Sequence, residues 1–136
     1  MVLPPKGTVS FSVEHVEVRL KNFSMKEVNF SLNKGDILGL VGQSGSGKST
    51  LLRTIIGEYK PSKGQIIAMV DGQKVAPTKI IGYSPQDNAL FPYLSLEENL
   101  LTFGELHGLS RNECKKRMVT VLADLHLLGS EHKRIT

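Results

Sequence analysis

Between an apolar run, Ile37-Leu38-Gly39-Leu40-Val41, and an amphipathic stretch, KSTLLRTIIG, lies the string Gly42-Gln43-Ser44-Gly45-Ser46-Gly47-Lys48-Ser49. It matches G-x-x-x-x-G-K-[ST] at every fixed position, in the strand-loop-helix setting that this phosphate-binding loop requires. The chemistry explains the spelling. Backbone that wraps phosphate oxygens with successive N–H groups must approach closely, so glycines stand where a Cβ would intrude. The helix opening near Gly47 adds its positive end. Lys48 is expected to reach the β- and γ-phosphates, Ser49 to offer its hydroxyl to Mg²⁺, and Thr50 to meet the α-phosphate. Gly42, Ser44, Gly45, Ser46 and Gly47 complete the predicted cradle.

The rest of the pattern supplies a scaffold for such a loop. Positions 9–20, VSFSVEHVEVRL, and 25–32, MKEVNFSL, alternate partly between apolar and polar, which predicts strands of a half-wet sheet. The run Ile37–Val41 is apolar throughout, as in a parallel strand covered on both faces. Leu51, Leu52, Ile55 and Ile56 share a helical face that Gly57 ends. After a turn at Pro61–Gly64, Gln65–Met69 predicts a strand, Asp71-Gly72 a turn, and Lys79–Ser84 a short buried strand ending at Pro85-Gln86. Two S-x-x-E capping boxes, Ser95/Glu98 and Ser110/Glu113, then announce two helices. Leu96, Leu100 and Phe103 make the apolar stripe of the first; Met118, Val121, Leu122 and Leu125 that of the second.

With 136 residues, 40% hydrophobic and 22% charged, the chain has the make-up of a domain with a core, not of a disordered segment. The single cysteine, Cys114, excludes an internal disulfide and falls on a polar flank of its helix, as surface or partly buried filler. The histidines are scattered, and no Cys/His cluster has metal-ligand spacing. Met1–Ser10 lacks an apolar signal segment, and Ile37–Val41 is too short to span a bilayer, so a soluble or peripheral protein is expected. The net charge of +4 is spread along the chain and forms no Lys/Arg block, so it argues little for nucleic acid, and none is expected as a partner. Asn33-Lys34-Gly35-Asp36 spells N-K-x-D and Asp36–Gly39 spells D-x-x-G, but both precede the phosphate loop and read as a turn entering a strand, not as guanine specificity.

Taken in order, GQSGSGKSTLL at 42–52, P-S-x-G-x-I at 61–66, IGYSPQ at 81–86 and LSLEENL at 94–100 resemble the ATP-binding cassette family, the nucleotide-binding domain of ABC transporters. The resemblance implies an α/β fold: an incomplete P-loop NTPase core, with an antiparallel β-subdomain and part of a helical subdomain. It implies a β-subdomain and P-loop core over 1–90 and a helical segment over 91–136. In that family the glutamine after the second core strand, here Gln86, contacts Mg²⁺ and the attacking-water region and relays nucleotide state; read without the family, Gln86 is a polar residue in a proline-containing turn. Lys48 and Gln86 are thus the implied catalytic groups, Ser49 and Gln86 the implied metal ligands. The adenine is usually stacked on an aromatic after the first strand, where this chain has Leu20, with Phe23 nearby. Leucine covers a purine face without the ring-on-ring contribution.

The family's signature, its Asp-Glu strand and its switch histidine would follow Thr136 in order, so hydrolysis by these residues alone is not expected. What the resemblance implies is an ATP-binding motor with Mg²⁺, export favoured. It would work with transmembrane permease domains and a second nucleotide-binding domain, cytoplasmic and peripheral at the inner face of the membrane. The alternatives are a soluble ATPase of the same type in translation or DNA maintenance, and a non-hydrolysing nucleotide-binding fragment. Self-association over an uncovered sheet edge is also expected.

Overall fold

The computed structural model describes residues 7–134. It divides into two compact units, with the boundary between Tyr83 and Ser84.

The first unit is built on an antiparallel sheet. Strands β1 (Val9–Leu20), β2 (Phe23–Asn33), β3 (Lys63–Val70) and β4 (Gln73–Val75) lie in the order β2-β1-β3-β4. The β1–β2 hairpin turns at Lys21-Asn22, pairing Leu20 with Phe23. The β3–β4 hairpin turns at Asp71-Gly72, where Asp71 has φ 50° and Gly72 φ 75°, as a tight hairpin turn needs. The alternation of β1 is only partial because the strand is bulged. Register shifts between Val13 and Val16, where His15 has φ 49°, bring Val13, Val16 and Val18 into one fully buried cluster despite their uneven spacing. Phe11, Met25, Val28, Phe30, Ile66 and Ile55 pack around it. Glu17 is buried beside this cluster, but Arg19 and Lys63 each hold its carboxylate at 3.4 Å, so the charge is paired where it is least hydrated.

Helix α1 (Lys48–Ile55) buries Leu51 and Thr54 and leaves Leu52 half out, so its covered face is narrower than the leucine-isoleucine pattern predicts. It ends at Ile56, before Gly57 as expected.

Two predicted strands do not form. Ile37–Val41 belongs to no ladder, and Ile37 and Val41 are 98% and 91% exposed. The reason lies in the pairing: every ladder among the described residues is antiparallel, and no described residue offers the parallel neighbour that such a strand needs. At Lys79–Ser84 the chain makes a single 3₁₀ turn, Pro77–Lys79, and then runs on unpaired, with Tyr83 40% exposed.

The second unit holds α2 (Leu96–Leu106) and α3 (Arg111–Asp124), packed together. Both start where the capping boxes place them. At α2 the box is complete: the Glu98 N–H donates to Ser95 Oγ and the Ser95 N–H to Glu98 Oε2. At α3 only half forms, since Ser110 accepts from Glu113 N–H while the Glu113 carboxylate turns to Arg117, one helical turn on. Two further amides at the start of α2, of Leu96 and Glu97, donate to the carbonyls of Lys133 and Glu131. The buried residues of α2 are Asn99, Leu101 and Gly104, displaced from the predicted stripe, and those of α3 are Cys114 and Leu122, with Leu125 60% exposed. Cys114 is therefore core, not flank. Its sulfur lies where a methyl group on Gly104 would come within 2.5 Å, so the missing side chain at 104 is what lets the helices approach.

Candidate functional site: the glycine-rich loop and its surroundings

From Gly42 the chain turns sharply enough that Ser46 N–H donates to the Gln43 carbonyl at 3.2 Å. The curl is tight: a Cβ on Gly42 would stand 2.8 Å from Ser46 Oγ. Gly45 has φ 80° and Gly47 φ 101°, a left-handed residue directly at the N-cap of α1. The cradle predicted from Gly42, Ser44, Gly45, Ser46 and Gly47 is thus one continuous curled loop ending on a helix start.

That helix start is bare. The N-cap makes no side-chain hydrogen bond and no acidic residue occupies the first turn, so its amides keep their donors and its positive end is not neutralised. Lys48 folds back over the loop, its ammonium donating to the carbonyls of Gly42 at 2.7 Å and Gln43 at 2.8 Å. The structure therefore gathers a cation, an uncapped helix end and close-wrapped backbone at one place, which is the donor set an oxyanion of several charges requires. Ser49 is exposed; Thr50 is half-buried, and its carbonyl accepts the hydroxyl of Thr54 at 2.8 Å. Among the described residues no group of three His, Cys, Asp or Glu side chains comes together to hold a metal.

Leu20 ends β1 and is 39% exposed, opposite Phe23 across the hairpin. Phe23 comes closer to the loop, its ring lying against Gly47. Gln86 is exposed, at a bend of the second unit after Pro85.

Sequence reasoning passed over Asn99. It is fully buried, accepts from the Phe91 N–H at 2.8 Å, and donates to the carbonyls of Phe91, Leu94 and Ser95. It fastens the segment leading from Gln86 into α2. The one signal available was an amide residue set among leucines at helical spacing.

The comparisons with known proteins agree with this arrangement. A family model described as "ABC transporter" matches residues 25–136. The linearmycin resistance ATP-binding protein LnrL of Bacillus subtilis (strain 168) is 41% identical over 105 residues, 75% of this chain and 34% of that protein. ATP-binding cassette sub-family A member 9 of Homo sapiens is 37% identical over 95 residues, 70% of this chain and 6% of that protein. A solved ATP-binding subunit of an ABC transporter superposes with a TM-score of 0.75 at 26% identity, over 91% of this chain and 53% of that one. The chain spans about half of that subunit and less of the two longer relatives. No helix among the described residues is long and apolar enough to cross a membrane. An uncapped helix behind a curled glycine loop, in a chain whose residues 25–136 match the family model, places this protein in the ABC transporter family, within its ATP-binding domain.

Proposed function

We propose that the loop from Gly42 to Ser49 binds MgATP and that the chain serves as the nucleotide-binding part of a membrane-transport motor. The observation that carries the reading is the Lys48 ammonium, held at the loop by two neutral carbonyls above a helix start with neither cap nor acid. A hydrogen bond to an ionised acceptor is roughly twice as strong as one to a neutral carbonyl, so phosphate oxygens displace Gly42 and Gln43 as its partners. The loop amides and the first turn of α1 then fix the polyphosphate, Ser49 supplies a hydroxyl to Mg²⁺, and Thr50 lies one residue on for the α-phosphate. Leu20 covers the base by apolar contact.

Bound nucleotide supplies the scissile phosphoanhydride. Gln86 is assigned to Mg²⁺ and the attacking water, and Lys48 to the charge on the γ-phosphate. Neither is a general base, a contribution typically worth about 10²–10⁴-fold, so these 136 residues alone bind without measurable turnover. The partners are a transmembrane permease and a second nucleotide-binding domain, which places the chain at the cytoplasmic face of the membrane. Similarity to a linearmycin resistance ATP-binding protein supports export.

Calorimetric titration with MgATP, MgADP and MgGTP tests the reading. Saturable binding of MgATP is expected; no affinity in a sample with an intact cooperative unfolding transition would overturn it. A phosphate-release rate abolished by Lys48→Ala would overturn the assignment of a non-hydrolysing chain. Fractionation with membranes in cells separates the transport reading from a soluble ATPase.

A further inference from the structure

Gly47 has a neighbour that phosphate-loop chemistry alone does not ask for. Apart from its chain neighbours, the three atoms nearest to where a side chain at 47 would begin all belong to the ring of Phe23: Cζ at 2.5 Å, Cε1 at 3.2 Å and Cε2 at 3.5 Å. The ring tip thus fills the side of Gly47 that its missing Cβ leaves open.

The core sets where that ring stands. Phe23 opens β2 and shares a face with Met25, two residues on, and Met25 packs on the buried cluster of Val13, Val16 and Val18. Ile55, at the far end of α1, packs on the same cluster. Sheet and helix are therefore registered against each other at one end of α1, and Phe23 meets the chain at the other.

Gly47 has few other restraints. Its φ of 101° is left-handed, whereas glycine populates both signs of φ about as readily. No side chain caps the turn and no acidic residue occupies it; the Gly47 carbonyl accepts the Leu51 N–H at 2.9 Å.

We propose that Phe23 is a positioning residue for the phosphate-binding loop. Its ring holds Gly47 in the left-handed conformation before nucleotide arrives, so the amides that open α1 are already aimed at the polyphosphate. The inference rests on reading the loop as the MgATP site. It differs from a base-stacking role, because a ring that acts through Gly47 changes phosphate affinity whatever base is attached.

Calorimetric titration of the 136-residue chain with magnesium tripolyphosphate, which carries no base, beside MgATP separates the two roles. Phe23→Ala leaves one more backbone residue to be ordered on binding and is expected to weaken both ligands by the same factor, about tenfold. Phe23→Met keeps an apolar side chain of similar reach without a flat ring, and should bind both ligands within about threefold of the parent. Unfolding curves establish that each variant is folded. Should Phe23→Ala not fold, Phe23→Leu takes its place: it keeps apolar packing at the start of β2 but stops short of Gly47, and the same loss is expected.

Weakening of MgATP alone overturns the proposal and makes the ring a base contact. Unchanged affinity for both ligands overturns it too, as does a Phe23→Met variant that fails to recover tripolyphosphate binding. A parent chain that binds neither ligand overturns the reading of the loop itself, and this proposal with it.

Discussion

The ring of Phe23 lies so close over Gly47 that a methyl group at 47 would stand 2.5 Å from its Cζ. Gly47 also has φ 101°, so two independent demands meet at one residue. Gly47→Ala is expected to lose about 2 kcal/mol, most of it from the left-handed backbone, which costs an L-residue about 1–2 kcal/mol. The ring edge can swing aside. Urea unfolding should therefore show that adding Phe23→Ala to Gly47→Ala recovers less than half of the coupling-corrected loss; full recovery would make the steric clash, and not φ, the dominant cost.

Lys48→Ala removes a charge-assisted donor while leaving the loop's backbone hydrogen bond, from Ser46 N–H to Gln43, in place. Affinity for MgATP is expected to fall by about 2 kcal/mol, roughly thirtyfold, with the unfolding midpoint little changed. Equal affinity of the two proteins by calorimetry would remove the ammonium from the site.

Asn99→Leu strands the Phe91 N–H and two or three carbonyls that Asn99 now satisfies. Leaving a buried polar group unsatisfied costs about 1–3 kcal/mol, so the second unit should lose stability in that range or somewhat above. Hydrogen exchange at the Phe91 amide is the sharper readout and should accelerate before the helix interior does.

The Ser95 N–H and then the Ser95 hydroxyl group hold the Glu98 carboxyl below its ordinary value. A carboxylate with a depressed folded-state pKa stabilises above the unfolded value near 4.5 and loses that contribution as pH falls through the folded value. Glu98→Ala should therefore lower the melting temperature at neutral pH, and the gap from the parent should close in acid, below the ordinary carboxylate range. A gap that persists unchanged in acid would mean that the side chain acts through something other than its charge.

Much of this could be read from local pattern. The glycine-rich loop before a helix, both serine caps and the hairpin turn at Asp71-Gly72 depend on a few neighbouring residues, and the fold places each element where the pattern puts it. Strand β1 keeps its predicted limits, but the bulge at His15 does not show in the sequence, because a bulged strand and an imperfect alternation spell alike. Ile37–Val41 and Lys79–Ser84 read as core strands because apolarity reports what a segment would gain by burial, while a ladder also needs a neighbour to accept its hydrogen bonds. Asn99 escaped notice for the opposite reason: its value comes from carbonyls at 91, 94 and 95 that only the folded turn brings together.

The amides of Leu96 and Glu97 are taken up by carbonyls at 133 and 131, so the end of α2 is plugged by chain that comes much later in the sequence. Clipping the polypeptide within 131–134 would unseat the opening turn of a distant helix, and fraying would begin beside Ser95 before it reached α3, the helix that precedes the cut in the chain. Two backbone carbonyls, of Glu131 and Lys133, thus act as a clasp on the opening turn of α2.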